Sequence, residues 1–314
     1  MPIIKVIKAG LQTTVQDLGR FGYSHLGISI SGAADPVSMR IGNLLVGNNE
    51  NDAALEMTLI GGEFEFDEDT VIAITGANFH PKMNGIGIPM WTSVRIKSGQ
   101  VLKFTASSEG ARCYLCIQGG IDVKKILRSS STHILTKLGG FEGRRLKNGD
   151  EIYFQNKPEA TPHLYQFKKA IAYELMKRDI IRITTAPQSD YFSEETLKDF
   201  CSNKYEVKED SNRMGLRLKG NVLLRQNNEE IITEGVTLGA VQVSHDGQPI
   251  ILFVEHQTTG GYPKIANVIS ADIHHVGQLR PRDKINFSFI SIDEAYKYKM
   301  ELESIISVNS FVKL

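Results

Sequence analysis

Residues 249–272 read PIILFVEHQTTGGYPKIANVISAD, and the fold class turns on how this line is divided. Positions 250–254 are apolar and rich in β-branched residues, the composition of a core strand. At Glu255 the apolar run stops, and a carboxylate, an imidazole (His256), a carboxamide (Gln257), two hydroxyls (Thr258, Thr259), two glycines, a phenol (Tyr262) and an ammonium (Lys264) follow. Gly260 and Gly261 read as a turn at which backbone can approach a ligand closely. A strand ending in such a turn holds polar side chains on a rigid edge. An ordinary surface turn has the same composition, so these residues alone leave both readings open.

Outward from this line the pattern repeats as short strands and turns. Segments 3–8, 53–58, 63–66, 71–75, 181–184 and 216–218 carry extended patterns. Helical spacing is confined to 37–46, where Asp35 is placed as cap and Pro36 opens the first turn, to 193–201 behind Ser193, and to 291–306. Segments 99–104, 149–154 and 283–287 echo one another as a basic, turn-forming approach to an alternating strand, either a duplicated β-unit or chance recurrence. Composition shifts between 155 and 182, where Pro158, Pro162 and several lysines surround a modest apolar stretch. The expected organisation is therefore a mainly β protein with a few short helices: a domain over 1–157, a linker with a short helix over 158–180, and a second domain over 181–314.

The chain has 314 residues, 41% hydrophobic and 23% charged, with 36 basic and 36 acidic side chains. That balance argues against a nucleic-acid or membrane-surface role, either of which normally leaves a basic surplus. No apolar run approaches the roughly 20 residues of a membrane span, and residues 1–5 lack a signal-peptide core, so a cytoplasmic location is expected. Cys113 and Cys116 match the C-x-x-C spacing but sit in a strand-like segment, where residues three apart point to opposite faces, and so read as core filler. His245, His256, His274 and His275 match no metal-ligand spacing, and the adjacent pair reads as strand residues pointing apart, so no metal is expected. The sequence holds no G-x-x-x-x-G-K-[ST], no strand-to-helix G-x-G-x-x-G and no G-x-S-x-G. Gln16, Asp17 and Arg20 lie in a second polar stretch broken by glycines. They suit either an anion or amide site, or an internal Asp17–Arg20 ion pair that shapes the turn.

Five word-like segments run in order along the chain: TTVQDLGR at 13–20, SGAAD at 31–35, SNRMG at 211–215, TEGV at 233–236 and QTTGGYPK at 257–264. Together they resemble the biotin-dependent carboxyltransferase / allophanate hydrolase subunit 2 family. That family includes the C subunit of bacterial ATP-dependent 5-oxoprolinase, a protein that antagonises a sporulation-kinase inhibitor, and part of the carboxyltransferase region of urea carboxylase. The resemblance implies two cyclophilin-like β-barrel domains and an obligate B-subunit partner, with an A-subunit as third component of the oxoprolinase. It also implies ATP, placed on a partner because no P-loop is present here, or alternatively biotin on a carrier protein.

The two chemistries the resemblance implies are ATP-driven opening of 5-oxoproline to glutamate, and carboxyl transfer from carboxybiotin to an amide-like acceptor. Both develop negative charge on an amide or ureido oxygen, so fixed donors are the expected machinery. The expected catalytic residues are Glu255, Gln257, Thr258, Thr259 and Lys264, with substrate held by Gln16, Asp17, Arg20, Arg213, Gly260, Gly261 and Tyr262. Glu255 and Asp17 are the candidate proton carriers. Three departures leave the substrate open: Glu255-His256 where the family reads Asp-Arg, residues 128–132 (RSSST) where it favours Gly-Ser-Arg-Ser-Thr, and residues 243–247 (VSHDG) where it favours Val-Pro-x-Asp-Gly. The expectation is one component of an oxoprolinase-type hydrolase, inactive alone. A component of a biotin-dependent carboxyltransferase is the second reading, and a non-catalytic regulator that binds a kinase-inhibitor protein the third.

Overall fold

Alternating segments pair into sheets because each strand has one face to bury, and the chain does this twice. The computed structural model describes residues 1–155, 163–177, 179–226, 231–307 and 310–314. It divides into two compact units: Met1–Arg20, Ser31–Met176 and Ile305–Leu314 form the first, Phe21–Ile30 and Lys177–Ser304 the second. The chain thus passes between units at Met176 and Lys177, inside the stretch read as a linker, and that stretch contains the helix Lys169–Leu175. Residues 156–162 of the expected linker, with Pro158 and Pro162, lie outside the described residues.

In the first unit a six-stranded sheet runs Glu151–Tyr153, Ile3–Lys8, Glu63–Phe66, Val101–Lys103, Lys82–Met83, Ile86–Gly87. A five-stranded sheet runs Gln12–Gln16, Ala54–Thr58, Arg112–Ile117, Thr70–Gly76, Ser93–Ile96. Ile4, Val6, Phe64 and Phe66 of the first sheet share one core with Val15, Leu55, Met57, Ile72 and Leu115 of the second. Glu63–Phe66 alternates as its sequence does, whereas Thr70–Gly76 is buried at every position. The helix Pro36–Leu45 packs on its outer face, so both faces are covered. Asp35 caps that helix, accepting from the Ser38 backbone N–H at 2.9 Å. Gly42 lets the helix lie close: a Cβ there would stand 2.6 Å from Cys116 Sγ. Cys116 faces the helix, reaching Met39 carbonyl oxygen at 3.6 Å, while Cys113 belongs to the inter-sheet core. The two thiols point to opposite faces, and burial pushes both well above the ordinary thiol range.

The second unit closes into a barrel in the order Ile180–Thr185, Lys264–Val268, Ala240–Val243, Pro249–Leu252, Gly215–Lys219, Tyr205–Val207, Lys284–Phe289. Closure comes from the parallel pairing of Ile180–Thr185 with Lys284–Phe289, which leaves the ladder without an open edge. Ile181, Ile183, Leu218, Val241, Ile251, Ile265 and Ile285 are buried. Ser193 caps the helix Glu194–Ser202, whose Phe200 stacks on Phe287 with ring centroids 4.5 Å apart. The strand beginning at Pro249 leaves the ladder at Leu252 rather than Val254. Beyond it the chain stays beside residues 213–214 through Phe253 N–H to the Met214 carbonyl (2.9 Å) and Glu255 N–H to the Arg213 carbonyl (2.8 Å).

The three echoing segments share one local turn. Lys97, Lys147 and Arg280 N–H donate to the side chains of Gln100, Asp150 and Asp283 at 2.8, 2.7 and 3.0 Å. Each turn carries a positive φ at its third position, on Gly99, Gly149 and Arg282. Their sheet contexts differ, since Glu151–Tyr153 pairs antiparallel with Ile3–Lys8 whereas Lys284–Phe289 has a parallel neighbour. His274 and His275 lie on the helix Ile273–Gly277, not a strand, and their rings stand 3.9 Å apart instead of pointing away. Period-two patterning across so short a segment cannot separate strand from helix, and the turn Ser270–Asp272 before it starts the helical course.

Candidate functional site

In the second unit the polar line after Glu255 is organised by two glutamines that the sequence left unassigned. Thr259–Gly260 pairs antiparallel with Glu234–Gly235, so the expected turn at Gly260 is a two-residue ribbon. Neither Gly260 nor Gly261 takes the left-handed backbone. Gly260 is needed for room instead: a Cβ there would stand 2.7 Å from Gln242 Nε2. Gln242, buried on the strand Ala240–Val243, donates from Nε2 to the Tyr262 carbonyl and accepts at Oε1 from Gln257 Nε2, both at 3.3 Å. The Tyr262 ring meets His245 edge-on at 5.2 Å. Gln188 accepts at Oε1 from the Lys264 N–H (3.3 Å) and donates from Nε2 to Glu234 Oε1 (2.6 Å). The Lys264 ammonium also pairs with that Glu234 oxygen. Lys264 first, and Gln188 after it, hold the Glu234 carboxyl below its usual range.

Gln257, Gly260, Tyr262 and Lys264 therefore come together around Gln188 and Gln242, and Thr259 adjoins them through its backbone pairing with Gly235. Gln257 and Thr259 are exposed, Thr258 is half-buried with its carbonyl accepting from Val236 N–H at 3.1 Å, and Lys264 is buried. Gln242 had one signal in the sequence: a polar residue inside the apolar strand AVQV. Glu234 lay within the TEGV segment, and Gln188 had no local signal.

Glu255 and Arg213 form a buried ion pair, Arg213 Nε to Glu255 Oε1 at 2.5 Å, with both side chains about 5% exposed or less. The carboxylate expected as a proton carrier is thus paired with a guanidinium at the start of the polar line. His256 is also buried, and its Nδ1 lies 2.6 Å from the Gln257 carbonyl oxygen. Burial pushes this imidazole below the ordinary histidine range. The unfolded chain accepts a proton near pH 6.5 that the folded chain takes up only at lower pH, so stability falls as pH drops through that interval. We expect thermal unfolding of the chain to shift downward below about pH 6.5, and His256→Gln to flatten that slope. An unchanged slope in the variant would assign the acid sensitivity elsewhere.

Gln16, Asp17 and Arg20 belong to the first unit, where Asp17 and Arg20 bond to the serine run at 129–131 and Gln16 to Thr14 and Thr132 beside it. Asp17 Oδ1 accepts from Ser129 Oγ (2.7 Å), Gly19 N–H (2.8 Å) and Ser131 Oγ, and Oδ2 accepts from Ser130 N–H (2.6 Å). Arg20 donates to the Ser131 carbonyl, and Gln16 Nε2 to Thr14 Oγ1 (3.0 Å) and the Thr132 carbonyl (3.1 Å). All of these side chains are buried, whereas Arg128, the displaced arginine, is exposed. Donors that fill both carboxylate oxygens make Asp17 the acceptor that shapes residues 129–131. Among the described residues no group of three or more His, Cys, Asp or Glu is placed to hold a metal ion, and no helix is long and apolar enough to cross a membrane.

Comparison with known proteins agrees with this architecture. Residues 26–289 match the model of the carboxyltransferase domain, subdomain A and B. The chain is 38% identical over 301 residues to the C subunit of 5-oxoprolinase from Escherichia coli (strain K12), covering 95% of each protein. It is 34% identical to urea amidolyase of Saccharomyces cerevisiae, covering 94% of this chain but 17% of that enzyme. The crystal structure of the K. lactis urea amidolyase superposes with a TM-score of 0.88 at 30% identity over 99% of this chain and 21% of that one.

Proposed function

The chain belongs to the carboxyltransferase domain, subdomain A and B, family, and from that premise we propose that it is the C subunit of an ATP-dependent complex that hydrolyses a cyclic amide of the 5-oxoproline type. Near end-to-end similarity to an oxoprolinase component supports this reading over the urea amidolyases, of which the chain matches only a fraction. The observation that carries it is the gathering of Gln257, Thr259, Tyr262 and the buried Lys264 beside one end of the barrel. A lactam oxygen gains negative charge when a nucleophile adds to its carbonyl carbon. Side-chain donors fixed next to that oxygen are worth a few kcal/mol each in the transition state. Gln257 and Thr259 supply such donors, Tyr262 orients the ring, and the Arg213–Glu255 pair fixes the chain two residues before Gln257.

In this reading ATP sits on a partner, a B-subunit homologue acting with an A-subunit homologue, and the isolated chain does not turn over. The test is reconstitution with those partners and assay of ATP-dependent glutamate formation from 5-oxoproline. Turnover in the full complex and none from the chain alone is expected. The match to urea amidolyase structure favours a second reading, transfer of a carboxyl group from a carboxybiotin carrier to an amide-like acceptor. Carrier-dependent carboxylation without oxoproline turnover would establish it in place of the first. Capture of a kinase-inhibitor protein with neither activity would make the chain a regulator.

A further inference from the structure

We infer that Lys264 and Gln188 form a carboxylate-binding subsite, and that the Glu234 carboxylate now held there stands in for a carboxylate carried by the substrate. The inference rests on the cyclic-amide reading and deepens it by specifying what the ring must bear.

The asymmetry of the Lys264–Glu234 pair carries the argument. The Lys264 side chain is 5% exposed and that of Glu234 is 44% exposed. An ammonium so far removed from water needs an anion beside it, because burying it alone is costly. Glu234 is free of that constraint. It sits on a two-residue ribbon strand with its side chain 44% exposed, so the carboxylate regains water when it swings outward, and a substrate carboxylate that arrives in its place keeps the buried ammonium paired. Once it leaves, the buried cation remains and draws the next anion from solution.

The geometry of the second donor selects a carboxylate. Gln188 Oε1 is tied to the Lys264 N–H, which fixes the carboxamide so that its NH₂ faces Glu234. Lys264 Nζ and Gln188 Nε2 therefore converge on one oxygen, Oε1, an arrangement a ligand carboxylate meets as well as a side chain does. Gly260 stands opposite Glu234 in the ribbon register and adds no side chain there. It is also next to the amide-binding end, since a Cβ at Gly260 would lie 3.5 Å from Gln257 Nε2. A ring amide with a carboxylate beside the ring engages both places at once. A urea-like acceptor, which has no carboxylate, engages only the Gln257 end.

The test uses the reconstituted complex with 5-oxoproline and with pyrrolidinone, the same ring lacking the carboxylate, and calorimetry of the chain with proline as a carboxylate probe. Glu234→Gln is expected to lower KM for 5-oxoproline by about tenfold, the equivalent of ~1.4 kcal/mol, and to leave pyrrolidinone unchanged. Gln188→Ala, which leaves the ion pair in place, is expected to raise KM for 5-oxoproline several-fold more than KM for pyrrolidinone. Equal effects on the two rings, or no effect on either, would overturn the subsite. Oxoproline turnover without this KM pattern refutes the subsite and keeps the proposed function. Proline binding strengthened by Glu234→Gln in a complex that never opens 5-oxoproline does the reverse.

Discussion

Replacing Gln257 and Thr259 together by alanine is expected to lower kcat/KM of the reconstituted complex by at least about 10²-fold, the usual cost of losing one well-placed oxyanion donor. Thermal unfolding of the chain should hardly move. Both side chains are exposed, and exposed positions away from caps and special backbone shift stability by about 0.5 kcal/mol or less. Gln257 gives up one long contact, 3.3 Å to Gln242, and Gln242 keeps its bond to the Tyr262 carbonyl. Thr259 contributes to the ribbon through its backbone pairing with Gly235, which alanine preserves. Activity and stability are thus expected to separate. A drop in melting temperature comparable to that of a core mutation would make the stretch part of the scaffold and remove it from the chemistry. Full activity in the double variant would also remove it, and leave Lys264 and Tyr262 as the remaining candidates at this end of the barrel.

What the sequence revealed and what it hid follow from the range of the interactions involved. Asp35 and Ser193 were legible as caps because the groups they satisfy lie three residues away. The three echoing turns were legible for the same reason, each closing on its own fourth residue. The serine partners of Asp17 were not legible, since they lie 112 to 114 residues further along and serines at 129–131 carry no local periodicity. Gly260 was read as a turn because glycine most often marks one. Its actual constraint is the close approach of Gln242 from another strand, which only the folded register reveals. The polar line at 257–264 was legible as one segment, but Gln188, Glu234 and Gln242, which bond to it or to one another there, reach it from three separate segments.

The largest stability effect belongs to the pair that starts this line. Arg213→Met is expected to cost about 3–5 kcal/mol of unfolding free energy, because it leaves the Glu255 carboxylate buried without its cation. Replacing both partners, Arg213→Met with Glu255→Leu, should recover most of that loss, since an apolar pair of similar volume avoids the desolvation that two charges suffer. Denaturant unfolding of the two single variants and the double variant measures the coupling directly, and a coupling below about 0.5 kcal/mol would show that the contact is incidental. Activity then decides what the pair is for. The backbone bond from Glu255 N–H to the Arg213 carbonyl survives every one of these substitutions, so the chain path into Gln257 is only loosened, not lost. If the ion pair positions Gln257, the double variant regains stability while kcat stays low, because an apolar pair packs without the directional bond that sets the course of the next two residues. Recovery of kcat together with stability would instead make the pair a structural rivet, with Gln242 alone aligning the donors.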